Sequence, residues 1–203
     1  MSDLTRADSF PLRRREVAQQ ILDACGDDLL MITGLGSTNW DFTAAGDSPS
    51  IFPLWGAMGG ALPMALGLAL AQPDKRILVA TGDAEILMAL GSFATVAVQA
   101  PPNLSIAVFD NERYGETGMQ ATATAHTADL AAIAAASGIM VTGTVRDQTE
   151  LDAALPLMVE RKGPSVHVIK VRAEPLPFVL PPKDGAYLKD RFRLAVLGDD
   201  GIV

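Results

Sequence analysis

The feature that most constrains this chain is an alternation of short, continuously apolar runs with longer stretches of helical character. The runs cover residues 29–33, 76–80, 104–109, 139–145 and 165–171. Unbroken rather than alternating hydrophobicity is expected of strands covered on both faces, as inside a parallel sheet. Helices are predicted between them over 13–24, 57–71, 85–99, 128–137 and 148–160. Asp147 with Glu150 makes a capping-box-like start for the last of these, and Gly138 a stop for the one before it. The alternation predicts one α/β domain, a doubly wound, mostly parallel sheet with helices on both faces. Its expected extent is 29–172, after a helical lead-in over 1–28. Prolines at 175, 177, 181 and 182 mark 173–203 as an extended tail with a short amphipathic helix over 186–196. Residues 40–53 read as irregular, with 48–55 as loop.

Composition narrows the function. The 203 residues are 49% hydrophobic and 20% charged, enough to fill a sizeable core. Twenty-four acidic against sixteen basic side chains leave a net charge of −8, which argues against nucleic acid and anionic lipid as partners. The single cysteine, Cys25, excludes an internal disulfide framework and a Cys-rich zinc site. It reads as a small buried hydrophobe in a reducing compartment. Arg13-Arg14-Arg15 imitates a twin-arginine signal, but a mixed amphipathic stretch follows it instead of an apolar one. Residues 48–73 carry no charge, yet Pro53, Pro63 and several glycines interrupt them, and only 57–71 looks helical. That is short of the roughly 20 residues a membrane span needs. The expectation is a soluble, cytoplasmic protein.

Ligands of a doubly wound sheet sit beyond the carboxyl ends of its strands. After the first strand, Gly34-Leu35-Gly36-Ser37-Thr38-Asn39 begins like a dinucleotide fingerprint. Asn39, however, stands where the third glycine belongs, and no helix pattern or ribose-binding acid follows. A turn whose Ser and Thr hydroxyls donate to a ligand fits better. After the second strand, Gly82-Asp83-Ala84-Glu85 opens a helix whose free N–H groups suit an anion such as diphosphate. Asp83 would repel that anion unless a hard divalent cation lay between them; complementing the helix dipole is the plainer role for both acids. After the third strand comes Asp110-Asn111-Glu112-Arg113-Tyr114-Gly115-Glu116-Thr117-Gly118. Its amide and carbonyl oxygens suit Mg²⁺ or Ca²⁺, although Asp-Asn before a glycine loop is also ordinary turn chemistry. The twenty-five residues from Glu85 to Phe109 hold one helix and one strand, which returns Asn111 to the sheet edge that carries Asp83.

This constellation resembles the diphosphate-binding domain of thiamine-diphosphate enzymes, whose motif runs Gly-Asp-Gly, then one helix and strand, then Asn-Asn. Here Ala84 replaces the last glycine and Asp110 the first asparagine. The resemblance implies thiamine diphosphate and Mg²⁺ as cofactors, with Asp83, Asn111 and the Arg113 carbonyl as metal ligands. It implies cofactor contacts at Gly36, Ser37, Gly82, Asp83, Ala84, Glu85, Asn111, Tyr114, Gly115, Glu116 and Thr117. Trp55-Gly56-Ala57-Met58-Gly59-Gly60 is similar to the family segment under the aminopyrimidine. By that likeness the Gly56 carbonyl accepts from the cofactor's amino group, and Met58 is the apolar wedge that bends the cofactor. Met58 also fits a core position at a helix start.

The segments 114–120, 127–134 and 189–192 look most like the branch that contains sulfopyruvate and phosphonopyruvate decarboxylases. In that branch some enzymes are built from two short chains, and this one resembles the beta, diphosphate-binding chain. The family's catalytic glutamate belongs to a pyrimidine-binding domain that nothing here matches. The resemblance therefore implies an alpha partner supplying that glutamate in a hetero-oligomer, and a short anionic 2-oxo acid as substrate. His126, in a loop beyond the metal segment, is a candidate to reach that substrate; His167, mid-strand, reads as structural. Three other readings stay open: a thiamine-dependent carboligase of the acetolactate-synthase type, a non-catalytic scaffold or regulatory partner, and a nucleotide-binding oxidoreductase.

Overall fold

The computed structural model describes residues 4–26, 29–160 and 163–202, so the ends of the expected lead-in, 1–3 and 27–28, lie outside the described residues. In chain order the strands are β1 (Leu29–Thr33), β2 (Ile51–Pro53), β3 (Arg76–Gly82), β4 (Leu104–Asp110), β5 (Arg113–Tyr114), β6 (Gln120–Ala121), β7 (Val141–Val145) and β8 (Ser165–Lys170). The helices are α1 (Arg14–Ala24), α2 (Ser37–Ala45), α3 (Ala61–Ala71), α4 (Asp83–Met88), α5 (Gly91–Gln99), α6 (Leu130–Ala136), α7 (Gln148–Val159) and α8 (Gly185–Leu197). Six strands form one sheet in the order β2-β1-β3-β4-β8-β7, parallel at every pairing. Strands β5 and β6 make a separate antiparallel ribbon.

The apolar runs become strands because each offers a hydrophobic face to both helix layers. Leu30, Ile32, Ile77, Val79, Ile106, Val108, Val166 and Val168 pack with Leu62, Ala65, Phe93, Val96 and Leu130 on one side. Met31, Leu78, Ala80, Ala107, Phe109 and Ile169 pack with Val17, Ile21, Phe42 and Leu151 on the other. Past β8 the chain runs without regular structure to α8, whose Phe192 meets Phe52 of edge strand β2 at 5.4 Å between ring centroids. Among the described residues no helix is long and apolar enough to cross a membrane.

The fold departs from the sequence expectation in four places. Residues 37–45 are helical and 51–53 form a strand, where irregular chain was expected. The composition of α2, Ser-Thr-Asn-Trp-Asp-Phe-Thr-Ala-Ala, carries little intrinsic helix preference. Burial of Trp40 and Phe42 and a pairing of Asp41 with Arg14 hold it instead. The helix expected from residue 57 begins at Ala61, because Ala57 and Gly59 take φ of 58° and 87° and turn the chain. The single helix expected over 85–99 divides at Ala89, whose φ of −127° leaves the helical region. Cys25 is half-buried rather than buried, packing at the edge of the second core layer.

His167 sits mid-strand on β8 opposite Ala107 and Gly143, almost fully buried, and its Nε2 has no hydrogen-bond partner among the described residues. Burial lowers its pKa from 6.5 to about 4. The unfolded chain therefore takes up a proton near pH 6.5 that the folded chain refuses until about pH 4. Stability present above the upper value is lost as pH falls through that window, by up to about 3 kcal/mol. His167→Leu is expected to flatten this loss, read as urea midpoints at pH about 7 and about 4.5. Equal acid losses in both proteins would assign the effect to another group.

Candidate functional site

Strand β1 leads out to edge strand β2, and the chain then crosses back to β3 on the other side of β1. The loops after β1 and β3 therefore diverge, and such a reversal opens a crevice at the carboxyl edge. A cleft lies there. Gly36 and Ser37 come from the β1 end, Gly82, Asp83, Ala84 and Glu85 from the β3 end, and Asn111, Arg113, Tyr114, Gly115, Glu116 and Thr117 from the β4 end. Met58 closes one wall. Strands β3 and β4 are neighbours with Gly82 opposite Phe109, so Asp83 and Asn111 leave adjacent strand ends. The structure thus gathers nearly every residue that the sequence pointed to. Gly56 does not line the cleft, although it lies two residues from Met58. His126 is exposed and lines a separate hollow with Arg6, Thr124 and Lys170.

Asp83 is 2% exposed, and its Oδ2 meets the hydroxyls of Thr122 at 2.6 Å and Thr124 at 3.0 Å. Thr124 also reaches Asp110 Oδ1 at 2.8 Å. With Thr122 donating to Asp83 and Thr124 to Asp110, the remaining contact between Thr124 and Asp83 is filled when Asp83 carries a proton. Burial, with the neighbouring Asp110 charge, accordingly raises the Asp83 carboxyl to about 7. A bound divalent cation would take the place of that proton. Asp110 in turn is paired with Lys170 at 2.7 Å, its register partner across β4 and β8. Lys170 also reaches Glu112 at 2.9 Å, and Arg6 holds Glu112 from the other side at 2.8 Å. These ties fix Glu112 at a φ of 58° and with it the turn in which Asn111 Oδ1 accepts from Arg113 N at 2.9 Å. The sequence reading missed Thr122, Thr124 and Lys170, because nothing local marks a residue that acts across a sheet.

The Arg113 side chain turns away from the cleft to Asp8 and the Leu4 carbonyl. Glu116 accepts from Trp40 Nε1 at 3.0 Å. It lies over Gly36, where a Cβ would come within 3.3 Å of it. Glu85 accepts from Thr81 at 2.6 Å with one oxygen, while its other oxygen, Oε1, is buried and has no partner within hydrogen-bond geometry among the described residues. Burial raises its pKa, opposed by the Thr81 hydroxyl and the nearby N–H groups of Ala61 and Gly59. Helix α4 thereby seats the turn that carries Met58: a Cβ on Gly59 would stand 3.1 Å from that of Ala89.

Residues 37–169 match the family described as thiamine pyrophosphate enzyme, C-terminal TPP binding domain. The chain belongs to the thiamine pyrophosphate enzymes. It is 41% identical over 130 residues to sulfopyruvate decarboxylase subunit beta of Methanothermobacter thermautotrophicus, covering 64% of this chain and 69% of that one. It is 32% identical to phosphonopyruvate decarboxylase of Streptomyces viridochromogenes over 88% of this chain but only 45% of the other. Benzoylformate decarboxylase from Polynucleobacter necessarius shares the fold, with a TM-score of 0.71 at 20% identity over 83% of this chain and 34% of that one.

The residues present suit the cofactor of a thiamine pyrophosphate enzyme. Asp83 and Asn111 line the cleft together with Arg113, and among the described residues no three His, Cys, Asp or Glu side chains gather as a cage. That donor set resembles how Mg²⁺ is commonly held, by one or two carboxylates plus the oxygens of a phosphate ligand. The starts of α2 and α4 line the same cleft, and the N-terminal end of a helix such as α2 favours phosphate.

Proposed function

We propose that this thiamine pyrophosphate enzyme chain is the beta, diphosphate-binding subunit of a decarboxylase acting on a short 2-oxo acid of the sulfopyruvate or phosphonopyruvate kind. The observation that carries this is the meeting of Asp83 and Asn111, from neighbouring strand ends, on a cleft at the topological reversal. The likeness to a sulfopyruvate decarboxylase beta subunit supports the substrate class. Thiamine diphosphate, when bound, supplies the electron sink that lets CO₂ leave. Asp83, Asn111 and the Arg113 carbonyl hold Mg²⁺, and Gly36, Ser37, Gly82 and Ala84 hold phosphate oxygens. Met58, 39% exposed at the cleft wall, packs against the apolar part of the cofactor. Its flexible thioether suits such a contact. An alpha partner supplies the glutamate that activates the cofactor, and with it the remaining proton-transfer groups.

The test is reconstitution with a pyrimidine-binding partner chain, followed by CO₂ release from sulfopyruvate, phosphonopyruvate, pyruvate and benzoylformate. The complex is expected to prefer one of the two dianionic acids by at least about tenfold in kcat/KM, and the chain alone is expected to be inactive. Turnover by the chain alone would remove the need for the partner's glutamate. A preference for pyruvate or benzoylformate would overturn the head group, and acetolactate from pyruvate would turn the reading to carboligation.

A further inference from the structure

Arg14 enters the sequence only as the middle of an arginine triplet, and it lies outside the residues that match the family. The fold brings it to the cleft. Leu12 bridges to Val171 just past the end of β8, so α1 starts at the carboxyl edge of the sheet. Arg14 is 7% exposed and lines the cleft beside Ser37 and Thr38. Its Nε donates to Asp41 Oδ2 at 2.8 Å and its Nη1 to the Glu174 carbonyl at 3.1 Å. Those two bonds fix the guanidinium plane, and no protein acceptor takes the Nη2 hydrogens among the described residues.

The charges around it point the same way. Asp41 is fully buried and serves two guanidiniums, since Arg15 Nε also donates to its Oδ1 at 3.1 Å. The two guanidiniums therefore outnumber Asp41 by one positive charge beside the cleft, whose lining also carries the acids Asp83, Glu85 and Glu116. A dianionic ligand bound through a cation at Asp83 still has phosphate oxygens to satisfy. A guanidinium held in place with two free N–H bonds suits one of them, and a lysine would not supply that fork. We propose that Arg14 is a phosphate-binding residue of this cleft, donating through Nη2 to the bound diphosphate. The inference rests on the thiamine diphosphate reading and adds a cationic contact to it.

The experiment titrates the full-length chain with inorganic pyrophosphate in excess Mg²⁺, by calorimetry and by ligand-induced shift in melting temperature. Arg14→Gln is expected to weaken binding about 10- to 100-fold, the usual cost of a lost hydrogen bond to a charged group. It is also expected to abolish most of the ligand-induced shift. Arg14→Lys, which keeps the charge beside Asp41, is expected to fold and still to lose most of the affinity. Arg15→Gln removes the other partner of Asp41 without facing the cleft, and is expected to lower the melting temperature with the ligand-induced shift preserved. Undiminished affinity in Arg14→Lys, or Arg15→Gln losing as much affinity as Arg14→Gln, would overturn the proposal and leave Arg14 a strut between α1 and α2. A wild-type chain that ignores pyrophosphate with Mg²⁺ would overturn the thiamine diphosphate reading itself.

Discussion

Asp83→Asn is expected to cut Mg²⁺-dependent pyrophosphate binding by more than about 10²-fold while raising the melting temperature of the free chain. Both effects come from one placement. The carboxylate lies buried beside Asp110, where its charge is disfavoured by desolvation and by repulsion. The amide removes that charge and keeps both threonine hydroxyls within reach of an oxygen. A gain of roughly 1 kcal/mol would raise the melting temperature by about 2–4 °C in a chain of this size. The same change removes the only carboxylate in the proposed Asp83–Asn111–Arg113 ligand set, and an amide oxygen is a poorer ligand for a hard cation. Stability gained together with binding lost is the pattern of a residue kept for function. Unchanged Mg²⁺-dependent affinity by calorimetry would remove Asp83 from the ligand set.

The parts of this site that could be read in advance are those in which one residue acts on its own stretch of backbone. Gly82-Asp83 precedes a helix, Asn111 makes a turn two residues on, and the twenty-five residues between Glu85 and Phe109 fit one helix and one strand. Local pattern determines these features, so the strand ends that meet at the cleft were legible. Helix α2 was not, because Trp40, Phe42 and Asp41 hold it through partners outside the segment, against its composition. Nor were the partners of the site residues. Thr122 and Thr124 reach Asp83 from about forty residues downstream, and Arg14 reaches Asp41 from α1. Such pairings depend on sheet register and on which helix covers which face, and periodicity carries neither. The Met58 turn lies between these cases. Its glycines marked an interruption of the uncharged stretch, but the later start of α3 follows from Gly59 packing against Ala89.

Register also accounts for the departure at position 110, where the related motif carries asparagine. An aspartate there places a second carboxylate near Asp83, and Lys170 answers it from the opposite position on β8. Lys170→Met is therefore expected to destabilise the chain by about 3–5 kcal/mol, the cost of leaving a buried ion without its partner. Glu112 would keep Arg6, whereas Asp110 would keep only hydrogen bonds. The stranded carboxylate would add to the repulsion on Asp83, so cation binding should change along with the melting temperature. Adding Asp110→Asn restores the motif's amide and removes the stranded charge. The double variant is expected to recover more than half of the lost stability, with a coupling between the two sites of about 2–3 kcal/mol. It is also expected to bind Mg²⁺-pyrophosphate close to the wild-type level, because Asn111 and its turn depend on position 110 through the Glu112 N–H, which an amide oxygen still accepts. The four proteins of this double-mutant cycle, melted with and without ligand, decide the matter. Additive losses would mean that Lys170 serves Glu112 alone and that Asp110 is tolerated for another reason.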